Sequence, residues 1–243
     1  MSREAVQQAL PPDVLHSHLL KLLVQKSSKS SICYARIRED MNDSDPADIV
    51  REGYDAIART YHGQRDKFKN QGLLAAFMSH LAPGGHVLDV GCGAGVPVAR
   101  SLIDSGFDVT GVDVSSSMLD LARSHVPEAR FLKMDMRELE FDASSFDGIC
   151  ALYSLFHIPQ GEHSRAIASF YHLLRQGGIL LFSTGQCAWQ GVEEFHGTRM
   201  LWSHPDRKVT RQWVIDAGFA VMMSEVRELG GEEHYWVMVR KST

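Results

Sequence analysis

Short apolar runs alternate with segments of helical periodicity along most of the chain. In residues 46–61 apolar side chains recur on one helix face, and the preceding Asp45 and Pro46 are typical of a helix start. Helices are predicted at 46–61, 68–81, 97–105 and 161–175, with further ones capped by Ser115 or Ser116 and by Thr210. Strands are predicted at 86–90, 107–112, 130–134, 146–152, 179–183, 219–226 and 234–240.

This alternation predicts an α/β fold. We expect a doubly wound, seven-stranded and mostly parallel sheet in a three-layer αβα arrangement, with the first two helices as an N-terminal helical cover. Only a short connection at Gly230 and Gly231 separates the last two strands, and a parallel pair would need a long crossover. The last strand is therefore predicted to be antiparallel. Residues 185–208, rich in Trp, His and Gly, are predicted to form a loop.

Residues 1–45 have a different pattern from the rest. Pro11 and Pro12 interrupt an approximate helical stripe, and polar runs follow at 26–31 and 39–45. We therefore divide the chain into a partly helical extension or linker at 1–45 and one domain at 46–243. A second interpretation stays open, in which the extension is a lid or a dimerisation helix and supports a homodimer.

The strongest chemical signal is a glycine-rich loop after the first predicted strand. Asp89 lies near the end of that strand, and Gly91, Gly93 and Gly95 follow at alternate positions. Ligands of open parallel sheets bind beyond the carboxyl ends of the strands, where glycines let a ligand approach the backbone. A dinucleotide fingerprint would need glycine in place of Val96, and a carboxylate at position 89 would repel a pyrophosphate. The same carboxylate suits a ligand with an ammonium group.

This order of residues, acid-x-Gly-x-Gly-x-Gly, resembles motif I of the class I S-adenosylmethionine (SAM) dependent methyltransferases of the small-molecule type. The resemblance covers about residues 48–240 and continues in order along the chain. The later matching segments are 109–113, 115–119, 134–136, 146–152 and 174–181. The resemblance implies a Rossmann-like methyltransferase with SAM as cofactor and S-adenosylhomocysteine (SAH) as product.

The resemblance also implies which residues bind the cofactor. Asp113, which ends the second strand, would accept hydrogen bonds from both ribose hydroxyls. Met118 would pack on the adenine, and Asp135 would meet the adenine amino group. The remaining predicted cofactor-binding residues are Tyr54, Tyr61, Asp89, Gly91, Gly93, Met136 and Leu152.

The methyl acceptor is predicted to be a small molecule, apolar or aromatic. Methyltransferases that act on nucleobase amines or on glutamine carry an (Asn/Asp)-Pro-Pro-Tyr box after the fourth strand. Residues 150–153 are Cys-Ala-Leu-Tyr instead, which disfavours those acceptors. Aromatic and sulfur side chains beyond strands four and five suit an apolar ligand. The predicted substrate-binding residues are Tyr153, Phe156, His157, Trp189, His196 and Trp202.

A general base is the remaining catalytic question. Methyl transfer from a sulfonium is an in-line displacement, in which the protein mainly aligns the acceptor and excludes water. A base is needed only where the acceptor must lose a proton. His157, just past the fourth strand, is the first candidate, with an imidazole pKa near the ordinary value of about 6.5. His196 is the second, and for both a purely structural role is the alternative.

Composition and charge disfavour several other classes of function. The chain has 243 residues and a net charge of −5, which disfavours binding to nucleic acid through bulk phosphate neutralisation. Its 4 cysteines are far apart and form no CxxC, so we predict neither a disulfide framework nor a metal site. No secretory signal and no long apolar run is found, which predicts a cytoplasmic protein without a membrane partner. A non-catalytic SAM- or SAH-binding regulatory module stays open, and an NAD-dependent oxidoreductase is disfavoured by the glycine loop.

Overall fold

The computed structural model describes residues 45–63 and 70–242 of the chain. The predicted extension, and with it the proposed homodimer contact, lies outside the described residues apart from Asp45. The helices are α1 Pro46–His62, α2 Gln71–Met78, α3 Val98–Asp104, α4 Ser116–His125, α5 His163–Leu173 and α6 Arg207–Asp216. The strands are β1 His86–Val90, β2 Asp108–Asp113, β3 Arg130–Lys133, β4 Phe146–Ala151, β5 Leu174–Thr184, β6 Trp189–Phe195, β7 Thr198–His204, β8 Phe219–Leu229 and β9 Glu232–Lys241.

Seven of these strands form one sheet in the order β3-β2-β1-β4-β5-β9-β8. The first five strands pair in parallel, and β9 pairs antiparallel with both β5 and β8. The predicted mostly parallel sheet with an antiparallel last strand is therefore confirmed. The chain order reverses its direction across the sheet between β1 and β4, which is where open α/β sheets bind their ligands.

Helices cover both faces of the sheet, as predicted. On one face α2, α3 and α4 pack on alternate strand residues such as Val87 and Cys150. On the other face α5 and α6 pack on Leu88 and Ile149. Neighbouring residues of β1 and β4 thus point into two different cores, and for this reason these strands are apolar on both sides. Because both faces of these strands are buried, a shift of one residue would exchange their two sets of side chains, so the strand register is fixed. The register in turn fixes the position of every residue at the carboxyl edge.

Residues 185–208 were predicted to form a loop, and this prediction is wrong in its central part. β6 and β7 form a regular antiparallel hairpin from the Trp189–His204 pair to the Phe195–Thr198 pair. The turn between them is His196-Gly197, with φ of 52° and 81°. Two successive positive φ values give a tight two-residue turn that matches the twist of the strands. Asn-Gly is the usual signal for such a turn, and the rarer His-Gly concealed it.

Helix ends were predicted with mixed success. The Asp45 side chain caps α1 by accepting a hydrogen bond from the backbone N–H of Ala47, as expected. Ser115 caps α4. The predicted Thr210 cap is wrong, because Asp206 caps α6 and Thr210 is buried inside it. The helix predicted at 161–175 is shorter, because β5 already begins at Leu174 and a bulge in its pairing with β4 absorbs the extra residues.

Candidate cofactor and acceptor site

A cavity lies at the carboxyl edge of β1, β2 and β4, beneath α1, with about 630 Å³ of empty space that includes its opening to solvent. Seven of the ten predicted cofactor-binding residues line it, together with two of the predicted substrate-binding residues. Among the described residues, the charged side chains of the lining are Asp113 and Asp135, both acidic. The lining residues are Ala47, Val50, Tyr54, Gly91, Gly93, Val112, Asp113, Val114, Met118, Met134, Asp135, Met136, Tyr153, Ser154, His157 and Ile158.

The glycine loop forms the floor of this cavity because its backbone needs glycine. Gly91, Gly93 and Gly95 have φ of 71°, 53° and 75°, a region that other residues rarely adopt. A Cβ atom on Gly91 would lie 2.3 Å from the Cβ of Ser154, a residue of the loop after β4. The backbones of the two loops therefore approach each other closely, and both face the cavity.

Asp113 ends β2 and has the geometry expected of a ribose-binding carboxylate. One carboxylate oxygen accepts the backbone N–H of Gly93 at 2.9 Å, and the other accepts that of Ser115 at 2.9 Å. These two bonds fix the carboxylate plane. Each oxygen of a carboxylate has acceptor capacity for about two hydrogen bonds, and Asp113 lines the cavity. The residue thus fits a ligand with two neighbouring hydroxyls.

Asp135 is connected to the cover helix through Arg137. The Arg137 guanidinium donates to Asp135 at 2.9 Å and to Asp45, the N-cap of α1, at 2.9 Å. Further along α1, the Asp55 carboxylate accepts the Ser115 hydroxyl at 2.6 Å. The hydrogen bonds from Ser115 and its neighbours hold the pKa of Asp55 below its usual value. These contacts hold α1 on the two loops that follow β2 and β3, where the adenosine part of the cofactor is expected.

The opposite end of the cavity is aromatic. Tyr153, directly after β4, has a φ of 56°, which is unusual for a residue other than glycine. Its backbone N–H donates to the Ser183 hydroxyl at 2.7 Å, and its ring packs edge-on against His234 and Trp236. Backbone strain of this kind is found most often at functional sites. The loop after β4 is thus held in a strained form that presents Tyr153 to the cavity.

His157 lies at the junction of three elements. Its Nδ1 is 2.8 Å from the carbonyl oxygen of Leu201 on β7, and its Nε2 is 2.8 Å from the hydroxyl of Tyr54 on α1. A carbonyl oxygen can only accept, so Nδ1 carries the proton, and Nε2 of the neutral ring accepts from the Tyr54 O–H. The ring is 5% exposed and lies 4.7 Å from the Trp202 ring. Burial lowers the pKa of His157 to about 4, well below the value of about 6.5 expected from the sequence.

Several predicted site residues do not line the cavity. Asp89 is buried beneath the glycine loop at 2% exposure, and Leu152 belongs to the core beside it. Tyr61 packs on Tyr54 from behind, with ring centroids 5.4 Å apart. Of the predicted acceptor residues, Phe156 and Trp202 form a layer behind His157. The other two predicted acceptor residues outside the lining, Trp189 and His196, lie in the β6–β7 hairpin.

Sequence reasoning also missed residues of the site. Val50 and Ile158 close the cavity with apolar surface, and Ser154 donates to the Val90 carbonyl at 2.8 Å, which ties the loop after β4 to the end of β1. His234 packs on Tyr153 and Phe156 from β9, and burial lowers its pKa to about 4. Helical spacing from Ala47 to Val50 and Tyr54 could have revealed one cavity-facing side of α1. No local signal points to His234.

Two kinds of feature are absent from the described residues. Within 45–63 and 70–242, no group of three or more His, Cys, Asp or Glu side chains is arranged to hold a metal ion. In the same part of the chain, no helix is long and apolar enough to cross a membrane.

The part of the chain that forms most of the cavity matches a known protein family. A family model described as a methyltransferase domain matches residues 87–178, less than half of the chain. This segment runs from β1 into β5 and includes the glycine loop, Asp113 and the loop after β4. Residues 87–178 are therefore similar to a methyltransferase domain, which agrees with the predicted resemblance to class I SAM-dependent methyltransferases.

Individual relatives agree with this class. The ubiquinone biosynthesis O-methyltransferase of Coxiella burnetii (strain Dugway 5J108-111) is 39% identical over 105 residues, 42% of this chain and 44% of the relative. The chain thus spans less than half the length of that relative. A solved structure of Burkholderia thailandensis 1,6-didemethyltoxoflavin-N1-methyltransferase contains bound 1,6-didemethyltoxoflavin and SAH. It is 20% identical to this chain with a TM-score of 0.57, and the match covers 98% of this chain and 94% of that one.

A third similar structure is named for a reaction other than methyl transfer. The [4+2]-cyclase SpnF is 20% identical to the chain with a TM-score of 0.57, covering 71% of this chain and 81% of that one. At such identities both structures establish the fold alone. The reaction has to be argued from the site.

Proposed function

We propose that this chain transfers the methyl group of SAM to a small apolar or aromatic acceptor and releases SAH. The observation that carries the proposal is the division of one cavity into two chemically different ends. Asp113 and Asp135 at one end suit a ligand with ribose hydroxyls and an exocyclic amine. Tyr153, His157 and Ile158 at the other end provide a wall without charge.

The charge of the lining supports the same assignment. Among its described residues the charged side chains are Asp113 and Asp135, and Asp135 is paired with Arg137. A sulfonium cation is favoured beside the Asp113 carboxylate, whereas an acceptor with a carboxylate or phosphate meets no cationic partner among the described residues of the lining. The NAD-dependent alternative is disfavoured by the glycine loop instead, because Val96 stands where the dinucleotide fingerprint needs glycine. We expect a neutral acceptor.

The residues proposed to hold SAM are those of the loops after β1, β2 and β3. Asp113 would accept the ribose hydroxyls, Met118 and Met136 would contact the adenine, and Gly91 with Gly93 would leave space for the methionine part. When bound, SAM supplies the methyl group, and the chain aligns the acceptor and excludes water under α1. The name of the Coxiella relative supports a hydroxyl as the accepting group.

Three further predictions of the sequence stay proposals. These are the division of the chain into an extension at 1–45 and a domain at 46–243, the homodimer through that extension, and the cytoplasmic location. The Asp45–Arg137 contact is consistent with a domain that begins at α1.

An SAH-release screen tests the proposed function. Full-length protein is incubated with SAM and a library of neutral aromatic and aliphatic hydroxy compounds and amines, and SAH is quantified. We expect SAH release with a neutral aromatic member, and much less with Asp113→Ala at a SAM concentration near the wild-type Kd. SAM binding without SAH release for any member would favour the regulatory module instead.

A further inference from the structure

The two nitrogens of His157 are both engaged in hydrogen bonds within the protein. Nδ1 donates to Leu201 on β7, and Nε2 accepts from Tyr54 on α1. The residue is nearly fully buried, with Phe156 and Trp202 packed on its ring. An acceptor hydroxyl in the cavity therefore meets the Tyr54 hydroxyl before it can meet the imidazole.

We propose that Tyr54 is the catalytic residue that takes the acceptor proton, and that it passes its own proton to Nε2 of His157. This inference rests on the proposed function and assigns its proton path. A phenolic oxygen can accept one hydrogen bond while it donates another, and Tyr54 lines the cavity. The Leu201 carbonyl contributes by fixing the ring in the tautomer that leaves Nε2 unprotonated.

The step balances in atoms and charge. The S–CH₃ bond breaks with its electron pair left on sulfur, and an O–CH₃ bond forms at the acceptor. The acceptor O–H bond breaks toward the Tyr54 oxygen, the Tyr54 O–H bond breaks toward Nε2, and an N–H bond forms on His157. One positive charge leaves sulfur as one appears on the imidazole, so the net charge of the site is unchanged. Because the net charge of the buried site does not change, the step avoids much of the free-energy cost of burying an additional unpaired charge.

Three elements must be in place for this path. Tyr54 comes from α1, His157 from the loop after β4 and Leu201 from the β6–β7 hairpin, and the apolar residues Val50 and Ile57 of α1 pack on Met200 and Leu201 of β7. The hairpin thus supports both the cover helix and the histidine. The proton path is assembled only where the cover lies on the hairpin, which is also the arrangement that excludes water from the cavity.

The first test uses the protein alone. In ¹⁵N NMR spectra of histidine-labelled protein, the His157 signals are identified by their loss in His157→Gln. We expect a protonated Nδ1 and an unprotonated Nε2, and a change in the Nε2 shift in Tyr54→Phe. A ring with a protonated Nε2 and an unprotonated Nδ1 would overturn the proposal. An Nε2 chemical shift that is the same in the wild-type protein and in Tyr54→Phe would also overturn it.

The second test compares two acceptors that differ in acidity. The probes are 4-methylphenol, which like tyrosine has a pKa of about 10, and 4-nitrophenol, which is far more acidic. At about pH 8, Tyr54→Phe should lower kcat for 4-methylphenol by roughly 10²–10⁴-fold, the contribution typical of a general base. For the already ionised 4-nitrophenol the loss should be about tenfold or less. His157→Gln can still accept from Tyr54 but is not basic, and it should behave in the same way.

Matched controls separate this path from a structural role. Tyr171→Phe removes a phenol hydroxyl on α5, outside the cavity lining, and His172→Asn removes an exposed imidazole from the same helix. Both should leave kcat unchanged for both probes. Equal losses of Tyr54→Phe on the two probes, or no loss on either, would overturn the relay, and so would wild-type protein that methylates neither phenol.

Calorimetry distinguishes this failure from failure of the proposed function. SAM should bind to Tyr54→Phe within about threefold of the wild-type Kd, because the missing hydroxyl faces the acceptor. Loss of SAM binding in Tyr54→Phe would assign Tyr54 to the cofactor and overturn the relay, with the proposed function intact. If SAM does not bind the wild-type protein, the proposed function itself fails.

Discussion

Acidification from about pH 7.5 to pH 5 is expected to destabilise this protein strongly through three buried histidines. Burial lowers the pKa values of His157, His163 and His234 to about 4. In the unfolded chain each would titrate near 6.5. The unfolded state therefore binds more protons between about pH 4 and 6.5, so stability is complete above this window and falls as the pH falls through it.

The magnitude follows from linkage between protonation and folding. At pH 5 an imidazole with a folded-state pKa of about 4 and an unfolded-state pKa of about 6.5 contributes a loss of about 2 kcal/mol. Three such groups give a loss of about 6 kcal/mol, a large part of the 5–15 kcal/mol typical of a domain. Carboxylates with lowered pKa values, such as Asp45 and Asp55, add their losses at lower pH.

Urea unfolding followed by tryptophan fluorescence measures this effect at the two pH values. His163 is buried at the start of α5, away from the cavity lining, and donates to the Ile158 carbonyl. His163→Asn should reduce the difference in unfolding free energy between the two pH values by about 2 kcal/mol. Equal stability at pH 7.5 and pH 5, or a His163 variant with the wild-type pH dependence, would refute the reasoning.

Two further predictions concern the cofactor end of the cavity. Asp113→Ala should weaken SAM binding by about 1.5–3 kcal/mol in isothermal titration, because charge-assisted hydrogen bonds are lost, and unchanged affinity would mean that the ribose is held elsewhere. Gly91→Ala should lower the unfolding free energy by roughly 1–3 kcal/mol, because its φ is 71° and its Cβ would lie 2.3 Å from that of Ser154. Gly161→Ala, where a Cβ meets no atom within 4 Å, is its control.

The sequence predicted most of the residues that line the acidic end of the cavity, because the signals for that end are local. Asp89, the glycine loop and Asp113 each belong to one strand and the turn that follows it, and alternating strands and helices bring these turns to one edge of the sheet. The positions of Asp113 and Met118 in the cavity followed from this. Asp135 was expected near the adenine, but its connection to α1 through Arg137 spans 92 residues from Arg137 to Asp45 and has no local signal.

The acceptor end could not be predicted to the same depth. His157 was named from its position after a strand, but its partners lie 103 residues away at Tyr54 and 44 residues away at Leu201. Its low pKa follows from burial by the β6–β7 hairpin, which the sequence analysis took for a loop. With the hairpin missed, neither the tautomer of His157 nor the layer formed by Trp202 behind it could be foreseen.

Isothermal titration of the full-length protein with SAM and, separately, with NAD⁺ tests the central claim most directly. The cavity with Asp113 predicts one bound SAM per chain, and the glycine loop with Val96 in place of the fingerprint glycine predicts no heat of binding for NAD⁺. Binding of NAD⁺ in competition with SAM, or no binding of SAM to a folded protein, would contradict the account.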